Sequence, residues 1–310
     1  MNETGLQNCT TERNYFLKTT FKANLGTSGI GSLPLIEGSP AATFILDAGL
    51  DFPFWPQLPK RDFLEQMIPQ YSEGMPGIMV DRKEETVRIN PTTKYDELAV
   101  FYTKFMEEQP EQFAISAEYA AGLHAFLAAA GRRSWNAVKG HVTGPITFAT
   151  GISAAGKEML YADHDLRDAA VKLLTRKAQW QIEQLRTLAD NIIIFVDEPV
   201  LAAFGSSAYI GISAEDVVEL ESEIFEAIRA AGGLSGIHVC GNSDWNVIIK
   251  TGVDILNFDA YAFGPRLSLY SKDVTALFER GGHIAWGIVP TTPAELKRET
   301  CASLVERFRT

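Results

Sequence analysis

The most chemically loaded stretch of this 310-residue chain is His238-Val239-Cys240-Gly241-Asn242, which closes an apolar run. On a strand, side chains two residues apart share a face and start about 6 to 7 Å apart, so His238 and Cys240 can converge on one cation. Imidazole and thiolate are ligands that zinc prefers, and Gly241 lets the backbone turn immediately afterwards. The same pair also reads as a buried cysteine beside a histidine that hydrogen-bonds a carbonyl. The next run, Ile255-Leu256-Asn257-Phe258, ends in Asp259 at the equivalent height, where an acid is a third ligand or supports one. A third run, Ile192-Ile193-Ile194-Phe195-Val196, stops at Asp197-Glu198-Pro199. Two carboxylates ending a strand buried on both faces are expected to project beyond the core toward a ligand, or else to cap the helix that follows. Gly29-Ile30-Gly31-Ser32 offers small residues and a hydroxyl where a ligand could meet backbone N–H groups, and His141 ends a further run beside Thr143 and Gly144-Pro145.

The elements that must position these residues alternate along the chain. Short β-branched or apolar runs at 25–32, 50–56, 137–142, 192–197, 235–240, 254–259 and 283–289 are separated by long amphipathic segments. Ser39-Pro40 predicts a helix start and Gly49 its end, and Asp165 opens a long helix reaching about residue 188. Ser213 with Asp216, and Thr292 with Glu295, have the spacing of capping boxes. Gly232-Gly233 and Gly281-Gly282 end helices just before strands. Residues 78–80 and 85–89 predict a hairpin, turning through 81–84, as an insertion near 78–90. Alternation of this kind implies parallel strands with right-handed crossovers and chemistry at the strand ends. The expected fold is α/β, a single (β/α)8 TIM barrel over 25–310 preceded by an extension at 1–24. Only seven strand-like runs precede Thr310, so the eighth strand and helix are expected to belong to a longer protein. The open edges would then be covered by residues 14–23, with Tyr15-Phe16-Leu17 and Phe21, or by a neighbouring chain.

Composition narrows the function. With 46% apolar residues, the chain is neither disordered nor collagen-like. Lys plus Arg number 28 against 39 Asp plus Glu, a net charge of -11 without a basic patch, so nucleic acid is not an expected partner. No apolar stretch approaches the roughly 18 residues that cross a bilayer, which predicts a cytoplasmic protein without membrane contact. Three cysteines make no disulfide framework and are read for reactivity or metal binding.

Taken together, Ile30-Gly31-Ser32-Leu33-Pro34, Phe54-Trp55-Pro56-Gln57-Leu58-Pro59, Gly140-His141-Val142-Thr143-Gly144-Pro145, Asp197-Glu198-Pro199, His238-Val239-Cys240-Gly241-Asn242 and Gly287-Ile288-Val289-Pro290 resemble the catalytic barrel of cobalamin-independent methionine synthases. The set is also similar to corrinoid-dependent thiol methyltransferases, to which the His-x-Cys-Gly-Asn segment looks closest, and more distantly to uroporphyrinogen decarboxylase. The resemblance spans about residues 25–300. It implies a zinc-dependent methyltransferase of methionine biosynthesis, in which a metal-bound thiolate attacks a methyl group. By that resemblance His238 and Cys240 are zinc ligands, and Asp259 stands where the methionine synthases place a glutamate. Ser32 and Asp197 match positions that hold the carboxylate and amino group of homocysteine, Glu198 joins them on the substrate side, and His141 contacts substrate or donor.

The sequence departs from that family in three places. Its last cysteine ligand follows the eighth strand, whereas Cys301 lies in the final predicted helix and is expected to be a packing residue. The glutamate that clamps the substrate amine is replaced by Met67-Ile68-Pro69-Gln70-Tyr71, which leaves the acceptor as homocysteine or another small thiol. The folate-recruiting half of the large methionine synthases is absent, which makes a methyl-corrinoid on a partner protein the more natural donor than a methyl-folate. Two alternatives stay open: a uroporphyrinogen-decarboxylase-like enzyme, although residues 28–34 and 52–59 lack the arginines such a site needs, and a non-catalytic corrinoid- or metal-binding barrel.

Overall fold

Runs of β-branched residues place the regular strands. The computed structural model describes residues 21–107, 109–131, 133–153, 158–206, 209 and 211–309. Strands β1 (Ile78–Asp81) and β2 (Thr86–Ile89) form the expected antiparallel hairpin. Strands β3 (Trp135–Thr143), β4 (Ala189–Asp197), β5 (Leu234–Val239), β6 (Ile255–Phe258) and β7 (His283–Trp286) make one parallel sheet in the order β3-β4-β5-β6-β7. Before it come α1 (Gly38–Asp47), α2 (Lys94–Met106) and α3 (Ala121–Ala130). Between its strands lie α4 (Pro145–Gly151), α5 (His164–Leu185), α6 (Ala214–Ala230), α7 (Trp245–Lys250), α8 (Ala260–Phe263) and α9 (Ser271–Glu279), and after it α10 (Pro293–Leu296) and α11 (Cys301–Arg309).

Alternation along each strand divides the apolar residues between two cores. Val138, Val142, Ile192, Ile194, Val196, Ile237, Val239, Leu256 and Phe258 face outward and join Leu173 and Ile182 of α5, Ile224 and Phe225 of α6, and Trp245 of α7. Each such side chain contributes roughly 1.5–3 kcal/mol when fully buried. Ala137, Ile193, Phe195, Leu234 and Ile255 face inward and form a smaller core with Phe21 and Phe52. The Phe21 ring lies 5.6 Å from Phe52 and 5.5 Å from His283 of β7, so both ends of the sheet reach the same side chain.

The seven barrel strands that the sequence predicts, of an eight-stranded barrel lacking its last strand here, are reduced to five regular strands and two irregular segments. Residues 25–32 and 50–56 are not ladder strands: the bridge Ser32–Gln57 joins the first segment to the end of the second, and the bridge Phe54–Lys139 joins the second to β3. Pro34, Pro53 and Pro56 remove backbone donors, and Gly26, Gly29 and Gly31 weaken extended structure, so a continuous ladder cannot form. What remains are bonds such as Gln57 N–H to Gly31 O and Lys139 N–H to Pro53 O. Residues 14–20 of the expected covering segment lie outside the described residues.

Helix ends follow the capping chemistry with small shifts. Ser213 and Asp216 make both halves of their capping box at α6. Asp163, not Asp165, caps α5, and α1 begins at Gly38 rather than after Ser39. Gly49, Gly232 and Gly281 take positive φ after α1, α6 and α9. Cys301 opens α11 and is exposed, so the expectation that it packs is corrected. Among the described residues no helix is long and apolar enough to cross a membrane.

Candidate functional site

Strand register sets polar side chains in one row across the ends of four strands. Thr143 of β3 pairs with Asp197 of β4, Asp197 with His238 of β5, and His238 with Asn257 of β6. This row tops the inner face, above the tier containing His141 and Phe195 and the apolar core that includes Phe21 and Phe52.

His238 has a defined tautomer. Asn257 Nδ2 donates to Ala285 O at 2.7 Å, which turns its Oδ1 toward His238 Nδ1 at 2.5 Å. Nδ1 therefore carries the proton and Nε2 keeps its lone pair. Burial pushes the His238 pKa down to about 4, against the raising effect of Asn257. Cys240, two residues on, is exposed. Asp259 is close enough to favour the charged imidazole, but its Oδ1 accepts the Ala262 N–H at 3.1 Å and so caps α8. Among the described residues no group of three His, Cys, Asp or Glu side chains is gathered as a metal would require. Asp259, the expected third ligand, thus has one carboxylate oxygen on the helix start.

Asp197 and Glu198 part company. Consecutive strand residues point to opposite faces, so only one of the two can look inward. Asp197 does: it is buried, its Oδ1 has no hydrogen-bond partner, and burial raises its pKa while Lys139 opposes the rise. Glu198 turns away and accepts Ile146 N–H at 2.7 Å, Thr147 N–H at 2.9 Å and Thr147 Oγ1–H at 2.5 Å, closing the start of α4. Its other neighbour is the buried Glu221 of α6, whose two carboxyl oxygens have no hydrogen-bond partner and whose pKa is raised well above the ordinary range, first by burial and then by Glu198. The expectation of two carboxylates projecting beyond the core is corrected for both, which are buried, and Glu198 is engaged by the start of α4.

His141 lies stacked on Trp55 with ring centroids 3.8 Å apart, and both its ring nitrogens are buried without a partner. Burial holds its pKa well below the usual value, so it is neutral. A side chain at Gly31 would meet the His141 ring at 2.9 Å, which is why glycine stands there. Ser32 is one end of a relay: Gln70 Nε2 donates to Tyr119 O, Gln57 Nε2 to Gln70 Oε1, and Ser32 Oγ to Gln57 Oε1. The only hydroxyl donor of Ser32 is therefore spent on Gln57, leaving it as an acceptor.

Sequence reasoning missed Asn257, Lys139 and this amide relay. Asn257 sat in view, two residues before the expected ligand Asp259 and on its face. No family model matches this chain, and no curated protein matches it.

Proposed function

We propose that the chain is a zinc-dependent methyltransferase that moves a methyl group from a corrinoid or folate donor to a small thiol. The chief support is the His238 tautomer: a neutral imidazole, locked by Asn257 with Nε2 left as a donor atom, is what a metal ligand needs. Zinc fits this donor set, and His238 Nε2 and Cys240 Sγ would hold it. Bound there, zinc supplies the charge that keeps a thiol of ordinary pKa about 8.5 deprotonated at neutral pH. The thiol proton leaves to solvent, the sulfur–carbon bond forms, and the bond from methyl to donor breaks with its electron pair staying on the donor.

The inward Asp197 suits an amine-bearing thiol. The free Oδ1 of Asp197 lacks a donor, and a substrate ammonium would supply one. A partner protein carrying the corrinoid, and a barrel completed by an eighth strand, belong to the same reading. Nothing favours a polycarboxylate decarboxylase: Arg61 and Arg82, which line a cleft just after Leu58, are already paired with Glu65, Asp62 and Glu118.

Thiol-dependent demethylation of methylcobalamin tests the reading, with homocysteine and simpler thiols as acceptors. No turnover by a fully zinc-loaded protein would leave a non-catalytic barrel. Within that assay, Asp197→Asn is expected to raise the thiol KM by about tenfold to a hundredfold, the range of a lost charge-assisted hydrogen bond, with zinc content unchanged. An unaltered KM would remove Asp197 from substrate binding.

A further inference from the structure

Lys139 is a charged side chain in the middle of β3 that is only 1% exposed. Its Nζ donates to Ile30 O at 2.5 Å and sits 4.7 Å from the Phe195 ring centroid and 5.4 Å from that of Phe54. Burial lowers its pKa, and Asp197 opposes the shift. An ammonium in such surroundings is costly, and an apolar side chain of similar length would pack there at less cost. A lysine retained at that position has something to hold.

What it holds is a segment with no ladder to the sheet. Residues 27–33 pair with residues 51–57, through bonds such as Phe52 N–H to Thr27 O and Gln57 N–H to Gly31 O, and Ile30 contributes little packing because it is 39% exposed. The glycines beside it bring the backbone close: a Cβ on Gly29 would meet the Phe54 ring at 2.5 Å, and one on Gly31 the His141 ring at 2.9 Å. Such contacts fix how near the segment may come but do not pull it in. The Lys139–Ile30 hydrogen bond does pull, and it reaches the segment from the interior of the sheet.

We infer that Lys139 is a positioning residue that clamps residues 29–32 through the Ile30 carbonyl, and thereby seats Gly31 against the His141 ring and Ser32 beside it, next to the row that holds Asp197. This deepens the methyltransferase reading and rests on it for its kinetic arm only.

The test uses the full chain with Lys139→Met and Lys139→Arg, read by amide hydrogen exchange and by thiol kinetics. In the methionine variant, the amides of Leu33 and Gln57, which hold residues 31–33 against residue 57, are expected to exchange about tenfold faster or more, the scale of one lost hydrogen bond to a charged group, while those of α5 and α6 keep their rates. The thiol KM should rise about tenfold with kcat within about twofold. Arginine, which keeps a cationic donor for Ile30, should restore part of both. Unchanged exchange at Leu33 and Gln57 would overturn the clamp, and so would uniform acceleration across the whole sheet. If the methionine variant does not fold, Lys139→Gln takes its place with the same two criteria. Absence of methyl transfer by the wild-type chain would defeat the function reading, while the exchange arm would still decide the clamp.

Discussion

Replacing Cys240 by serine is expected to strip the chain of most of its zinc and of thiol methylation with it. A neutral hydroxyl cannot stand in for a thiolate on a soft cation, and Cys240 is exposed, so the fold should survive the change. Asn257→Leu tests the same centre from behind. Both donor atoms remain, but the acceptor that holds the Nδ1 proton of His238 is gone, and zinc affinity is expected to fall about 10- to 100-fold. Elemental analysis of each variant after equilibration against buffered zinc reads both effects. Full occupancy in both variants would remove the metal from β5.

The second large effect lies behind the site, where two carboxyl groups face each other in the core. Glu198→Ala is expected to destabilise by roughly 3 kcal/mol or more, because two amides and a hydroxyl at the start of α4 lose their acceptor and Glu221 loses its neighbour. The pair also gives a pH dependence. Glu221 has a folded pKa raised above its unfolded value of about 4.3, so the proton it retains stabilises the fold fully below that value. That stability is lost as pH rises through the raised folded pKa. Glu221→Gln keeps the size of the side chain without an ionisable proton, and its melting temperature should decline less than that of wild type between neutral and alkaline pH. Parallel pH profiles for the two proteins would show that Glu221 is not the proton carrier.

Much of this was legible from residue order. The β-branched runs located the five regular strands, and the Ser213–Asp216 box and the glycines after α6 and α9 marked helix ends, because those signals are local. The two leading runs were misread as strands, since their apolar content was visible while the lost backbone donors of Pro53 and Pro56 were given no weight. The carboxylates after β4 were assigned one direction although neighbours on a strand must diverge, and α4 competed for Glu198. Lys139 was detectable: with Ala137, His141 and Thr143 it alternates with Val138, Gly140 and Val142, so its facing could be read from the sequence. Its bond to Ile30, 109 residues earlier, could not, because it depends on tertiary approach.

Phe21, with Phe52, Ile193 and Leu234, seals the lower end of the inner face. On the methyl-transfer reading proposed above, reactants that meet near Asp197 and His238 would arrive by the same open end, a small thiol sharing that passage with a much larger methyl donor. A donor docked first would block the thiol behind it. Initial-rate kinetics should accordingly show compulsory order, with thiol seated before donor and excess donor inhibiting turnover in competition with thiol. Leaving is constrained in the same way: the spent carrier must depart before the methylated product can escape, so carrier dissociation becomes a natural candidate for the slow step.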